Sequence, residues 1–160
     1  MTSSTNNRLQ ALYQSDDYLW LQQTIKLLKT KDFKNLDIEN LIEELESLGR
    51  SQFNKVRSLL RQIIIHLLLL EYWEQEYERN YRHWQAEIIT FRDDLTHELT
   101  TSLKNKLIPE LDSIYNIAVS FVSQKTGLSK SIFPAICPYS FEQLLKDSWY
   151  PLNNLKRIDK

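Results

Sequence analysis

Three histidines, His66, His83 and His97, and several carboxylates at helical spacing are the residues best equipped for chemistry in this chain. On an ideal helix His83, Glu87, Asp94 and His97 project within about 40° of one line, with His83/Glu87 and Asp94/His97 each one turn apart. Such pairs suit metal ligation, but about seven residues, or roughly 10 Å, separate them, so one ion cannot bind both. A metal site would need ligands from another helix, and a solvated polar face is the simpler reading. The acidic cluster Glu39, Glu43, Glu44 and Glu46 invites comparison with di-iron helical bundles, which also use Glu-x-x-His. No glutamate here has a histidine three residues later. Acidic residues early in a helix follow from its dipole, and Glu46 can pair with Arg50 one turn on.

Arg61 with His66, and Arg92 with His97, fit the loose Arg-x4-His pattern of HEPN-type ribonucleases, where the pair would steady a phosphate and assist proton transfer. A five-residue separation sets the side chains about 140° apart on an ideal helix, so a distortion or a dimer interface would be required. His66 otherwise reads as a neutral imidazole at the edge of an apolar stripe, hydrogen-bonded to a neighbour. Trp73, Tyr77, Arg79, Arg82 and Trp84 form an aromatic and basic group with the composition of a binding surface. Glu71, Glu74, Glu76 and Glu78 among them repel a phosphate backbone, so a protein partner or a second copy fits better than nucleic acid. Cys137 has no histidine or basic neighbour to activate it and reads as a small buried residue.

Helices must position these groups. Ser15 or Asp16 offers a cap for a first helix to about Lys29, with Leu21, Ile25 and Leu28 on its apolar face. Asp37 opens a second, along which Leu41, Ile42, Leu45, Leu48, Phe53, Val56, Leu60, Ile63, Ile64 and Leu67 keep one phase. Gly49 falls near the middle of that stripe and predicts a notch for a neighbouring helix. Positions 63 to 70 are apolar all round and must be covered on several sides. Asn80 can cap a third helix carrying Trp84, Ile88, Phe91, Leu95 and Leu99, and a break is expected near 102 to 108. Leu111, Ile114, Tyr115, Ala118, Phe121 and Val122 mark a fourth helix, ended by Thr126-Gly127. Pro134 and Pro138 keep 133 to 139 extended, and Ser140 with Gln143 forms a capping box for a short last helix.

Composition agrees. Of 160 residues 42% are hydrophobic, with only two glycines and four prolines, too few breakers for an all-β protein. Twenty basic and twenty-one acidic side chains leave a net charge of −1, which gives no general attraction to nucleic acid or an anionic bilayer. The longest apolar run, Ile63 to Leu70, spans about 12 Å against a bilayer core of about 30 Å. A single cysteine and an N-terminus without the layout of a signal peptide lead to a cytoplasmic expectation.

Three stretches, Leu12 to Leu21, Leu36 to Ser51 and Cys137 to Leu145, resemble the bacterial family known as domain of unknown function twenty-nine, common in cyanobacteria. His66-Leu67-Leu68 and Arg82-His83-Trp84 fall where that family has comparable residues, and the resemblance covers about 12 to 151. It implies a helical cytoplasmic protein and transfers no catalytic residue. Glu74, Glu76 and Glu78 stand where the family tends to be more basic.

The expected fold is an all-α, single-domain helical bundle with a long central helix and a short capped C-terminal helix. Residues 1–10 are expected to be disordered, 11–152 to form the domain and 153–160 to be a mobile tail. The functional expectation is a non-enzymatic protein-interaction or self-associating module without a cofactor. The alternative is a HEPN-like ribonuclease or metal-dependent hydrolase using histidines on the second and third helices.

Overall fold

The computed structural model describes residues 2–152; Met1 and 153–160, the expected mobile tail, lie outside the described residues. The fold is all-α, with no strand among the described residues. The chain forms two compact units, Met1–Ser51 and Gln52–Lys160.

The first unit holds α1 (Thr2–Ser15), α2 (Asp17–Lys29), a 3-10 turn (Phe33–Asn35) and the opening turns of α3, which runs Ile38–Tyr72. Helix α1 is a departure from the expectation that helices begin after Ser15. Its sequence is polar and lacks an apolar period, so its packing on α2, not a local signal, accounts for it. Asp16 alone separates α1 from α2, and its carboxylate accepts from the Leu19 N–H at 3.0 Å, the expected cap. Lys31, at φ +57, turns the chain after α2. Among the described residues, the buried ones of this unit are few: Leu9, Trp20, Thr24, Leu36 and Asp37. The Trp20 indole N–H donates to Asp37 Oδ2 at 3.1 Å, and the Asn40 amide donates to the same oxygen at 2.7 Å. The Tyr13 hydroxyl donates to Glu44 at 2.9 Å.

In the second unit the remainder of α3 packs with α4 (Glu74–Glu98), α5 (Thr101–Leu107), α6 (Leu111–Thr126) and α7 (Phe141–Leu145). The apolar run behaves as its composition requires: Ile63 to Leu70 are all buried except half-buried His66. Trp84, Ile88 and Leu95 of α4, and Ile114, Tyr115, Ala118 and Val122 of α6, belong to the same core. Gly127 ends α6 at φ +76, and Ser140 and Gln143 make both halves of the capping box.

Three expectations need correction. Helix α4 begins at Glu74, after the single residue Trp73, so Asn80 is interior; its amide donates to the Glu76 carbonyl and carboxylate one turn back. The expected break at 102 to 108 is instead helical, because Thr100 caps α5 by accepting from the Leu103 N–H, and the chain breaks at Leu99 and Thr100. Gly49 makes no notch: a Cβ placed there would meet nothing within 4 Å.

Candidate functional site

Arg92 separates from the chemistry its spacing suggested. It sits on the buried stripe of α4 with Trp84, Ile88 and Leu95, where an apolar residue would be expected, and is fully buried. Its guanidinium donates to the carbonyls of Leu144 at 2.9 Å, Gln143 at 3.1 Å and Asp147 at 3.3 Å, and lies 5.4 Å from the Tyr150 ring centroid. A helix leaves its last carbonyls without intrahelical donors, and Arg92 donates to two of those in α7, Gln143 and Leu144, and to Asp147 just beyond its end. Burial lowers its pKa from the usual arginine value, with Tyr150 and Asp147 acting the other way. Every polar nitrogen of its fork is thus committed to holding the C-terminal segment. His97, on the other face, is exposed and turns its Nδ1 to the Asp93 carbonyl at 2.8 Å, so Arg92 and His97 do not converge. The Asp93 carbonyl and carboxylate raise the His97 pKa.

His66 faces a cleft. Its Nδ1 lies 2.7 Å from the Gln62 carbonyl, a contact that places the proton on Nδ1 and leaves Nε2 as the acceptor of the neutral ring. Phe91 packs against the ring at 5.3 Å. Burial lowers the His66 pKa; the Gln62 carbonyl and Glu87 oppose that shift, whereas His83 and Lys125 add to it. The cleft, about 340 Å³, is lined by Gln62 and His66 of α3, Asn80 and His83 of α4, and Phe121 and Lys125 of α6. Trp73 stacks on Trp84 along its wall, with ring centroids 5.7 Å apart. Glu87 is half-buried, while His83 and Asp94 are exposed. Among the described residues no three His, Cys, Asp or Glu side chains gather where they could hold a metal ion.

The aromatic group of α4 is largely spent on packing. Trp84 is buried, Trp73 and Tyr77 are half-buried against the core, and Tyr77 stacks on Tyr81 at 5.3 Å. Arg82 lies over the Tyr81 ring and donates to its hydroxyl, and Arg79 is exposed. Arg61 is half-buried and does not line the His66 cleft. Cys137 is half-buried, and burial raises its thiol pKa to about 11.

The apolar face expected on the first helix does not point into the core. On α2 the packed positions are Trp20, Thr24 and half-buried Leu27, one residue before Leu21, Ile25 and Leu28 in each case. That offset rotates the second set by about 100°. With Tyr18, 68% exposed, Leu21, Ile25 and Leu28 form an apolar stripe open to solvent. The same offset recurs at the start of α3: Asp37, Leu41 and Glu44 face inward, whereas Ile38, Ile42, Leu45 and Leu48 are exposed. The α3 stripe continues in phase into Phe53, Val56, Leu60 and Ile63, which are buried. One amphipathic face is therefore covered from Phe53 onward and bare before Ser51.

The family model described as "Domain of unknown function DUF29" matches residues 12–150. The chain belongs to the DUF29 family. No curated protein and no solved structure matches it. The stretches that resemble DUF29 have folding roles in this structure: Leu12 to Leu21 carries the Asp16 cap and Trp20, and Leu36 to Ser51 carries Asp37 and the bare α3 stripe. Cys137 to Leu145 of the DUF29 chain carries the capping box and two carbonyls that Arg92 holds. It also carries Tyr139, whose buried hydroxyl donates to the Glu71 carboxylate at 2.6 Å; burial first, then that carboxylate, hold the phenol well above its usual pKa. The structural roles of Arg92 and Glu71 are not legible in the sequence because their partners lie 51 to 68 residues away in the chain.

No helix among the described residues is long and apolar enough to cross a membrane.

Proposed function

We propose that this DUF29 protein is a non-enzymatic interaction module whose docking surface is the pair of apolar stripes on α2 and on the first turns of α3. One observation carries the reading. Eight large apolar side chains at helical spacing, four per helix, are each between 41% and 68% exposed in a unit that buries few apolar residues. Scattered exposed hydrophobics are ordinary, but ordered stripes of this size mark a surface that meets a partner. The commitment of Arg92 to α7 argues against the ribonuclease alternative, because it removes the cation from one of the two Arg-x4-His pairs.

In-cell photocrosslinking tests the reading. A photoreactive residue at position 25, 42 or 45 should give discrete adducts of raised mass, while one at exposed, polar Ser47 should give none. An absence of adducts at all three stripe positions would overturn the proposal, as would Leu45→Gln destabilising the purified chain by several kcal/mol, the mark of a residue buried in its core.

A further inference from the structure

The two stripes differ in what flanks them. On the helical wheel, Lys26 and Lys29 border the α2 stripe on the side away from its packed face, and Glu39 and Glu46 border the α3 stripe on its corresponding side. All four side chains are exposed. Glu43 on the acidic side is held by Arg50 at 2.9 Å, whereas Arg50 reaches Glu46 only at 3.8 Å. The chain therefore presents a basic-edged apolar stripe and an acidic-edged one.

Resting on the docking surface proposed above, we infer that its occupant is a second copy of this chain, with α2 of one protomer laid against the opening turns of α3 of the other. Like-with-like pairing of the α3 stripes would bring glutamates together and of the α2 stripes would bring lysines together, which is unfavourable. Laid antiparallel, the crossed pairing places lysines beside glutamates in both of its contacts, because each charged edge lies on the same rotational side of its stripe. It also satisfies a two-fold arrangement, in which the same two patches on each copy exchange places. The area is adequate. Four half-exposed apolar side chains on each helix offer on the order of 600–700 Å² per copy, and the charged borders bring this near the roughly 800 Å² per partner of a standard interface.

Sedimentation of the purified full-length chain, at concentrations up to about 100 μM, is the test, with K26E/K29E and E39K/E46K as variants. The wild type should associate, and each double variant alone should dissociate at least roughly tenfold more readily, since each then presents two stripes of one sign. An equimolar mixture of the two variants should restore association, because both crossed contacts regain opposite charges. Mixing cannot repair a variant that has merely unfolded, so rescue separates recognition from damage. A wild type that stays monomeric overturns the second-copy inference; discrete crosslinks to a molecule of different mass would then leave the docking surface itself standing. Association that survives both charge reversals, or loss that mixing does not restore, overturns the crossed pairing.

Discussion

Replacing Arg92 with methionine, which keeps a long unbranched stem and removes the guanidinium, isolates the fastening of α7. Three carbonyls would lose a hydrogen bond, that of Gln143 keeping the Lys146 N–H at 3.3 Å. Hydrogen bonds to a charged group contribute about 1.5–3 kcal/mol each when one partner is removed, which makes a gross loss of roughly 5–9 kcal/mol. Methionine also abolishes the burial of a cation, and the desolvation relieved is several kcal/mol. The lowered Arg92 pKa, caused first by burial, shows that this opposing effect operates here. The net expectation is a destabilisation of about 2–4 kcal/mol, a large share of the 5–15 kcal/mol that holds a typical domain. Arg92→Lys should not rescue it, because one ammonium lacks the planar fork that reaches three separate oxygens. Denaturation in urea, followed by circular dichroism, measures the total, and amide exchange over 139–150 measures the local part. A loss below about 1 kcal/mol, with exchange over 139–150 unchanged, would refute the assignment of Arg92 as the donor set of α7.

The other expectations are single-site. Gly49→Ala should stabilise the chain by about 1 kcal/mol, since the new methyl meets nothing and a helix-interior glycine is replaced; a loss in thermal unfolding would show that something does approach there. Thr24 Oγ1 is buried and, among the described residues, without a hydrogen-bond partner, so Thr24→Val should raise stability by roughly 1 kcal/mol; an unchanged or lowered denaturation midpoint speaks against that. The lowered pKa of His66 means that the unfolded chain takes up the proton first, so its contribution to stability falls as pH drops below about 6.5. Comparing wild type with His66→Gln at pH 7.5 and 5.5 checks this: the wild type should lose more on acidification, and a smaller loss would contradict the burial of the ring.

What was legible in the sequence was local. Asp16, Gly127 and the Ser140/Gln143 box each act within one turn of the helix end they define, so residue type alone marks them. Helix α3 was legible through its single phase over ten apolar positions. Phase did not say which stretch of the stripe would be covered, because cover comes from other elements; Ile42 and Val56 look alike in sequence and differ entirely in exposure. On α2 the large apolar residues Leu21, Ile25 and Leu28 outweighed Trp20 and Thr24 as a signal, yet Trp20 is the side chain anchored by Asp37. Arg92 stood out in the sequence only as half of an Arg-x4-His pair, and the open end of α7 explains its burial.

The joint at Trp73 has a consequence for how this fold can change in length. Helices of 35 and 25 residues meet through that one residue, so there is no loop between them to absorb an insertion. An extra residue between Leu70 and Trp84 would turn one helix against the other by about 100° and displace it by about 1.5 Å. Either Trp73 would leave its stack on Trp84, or Trp84 and Ile88 would swing out of the core. Tolerance for added residues is to be sought instead at Leu99–Thr100 and in the irregular stretch after Gly127, where a longer chain need not rotate a packed helix.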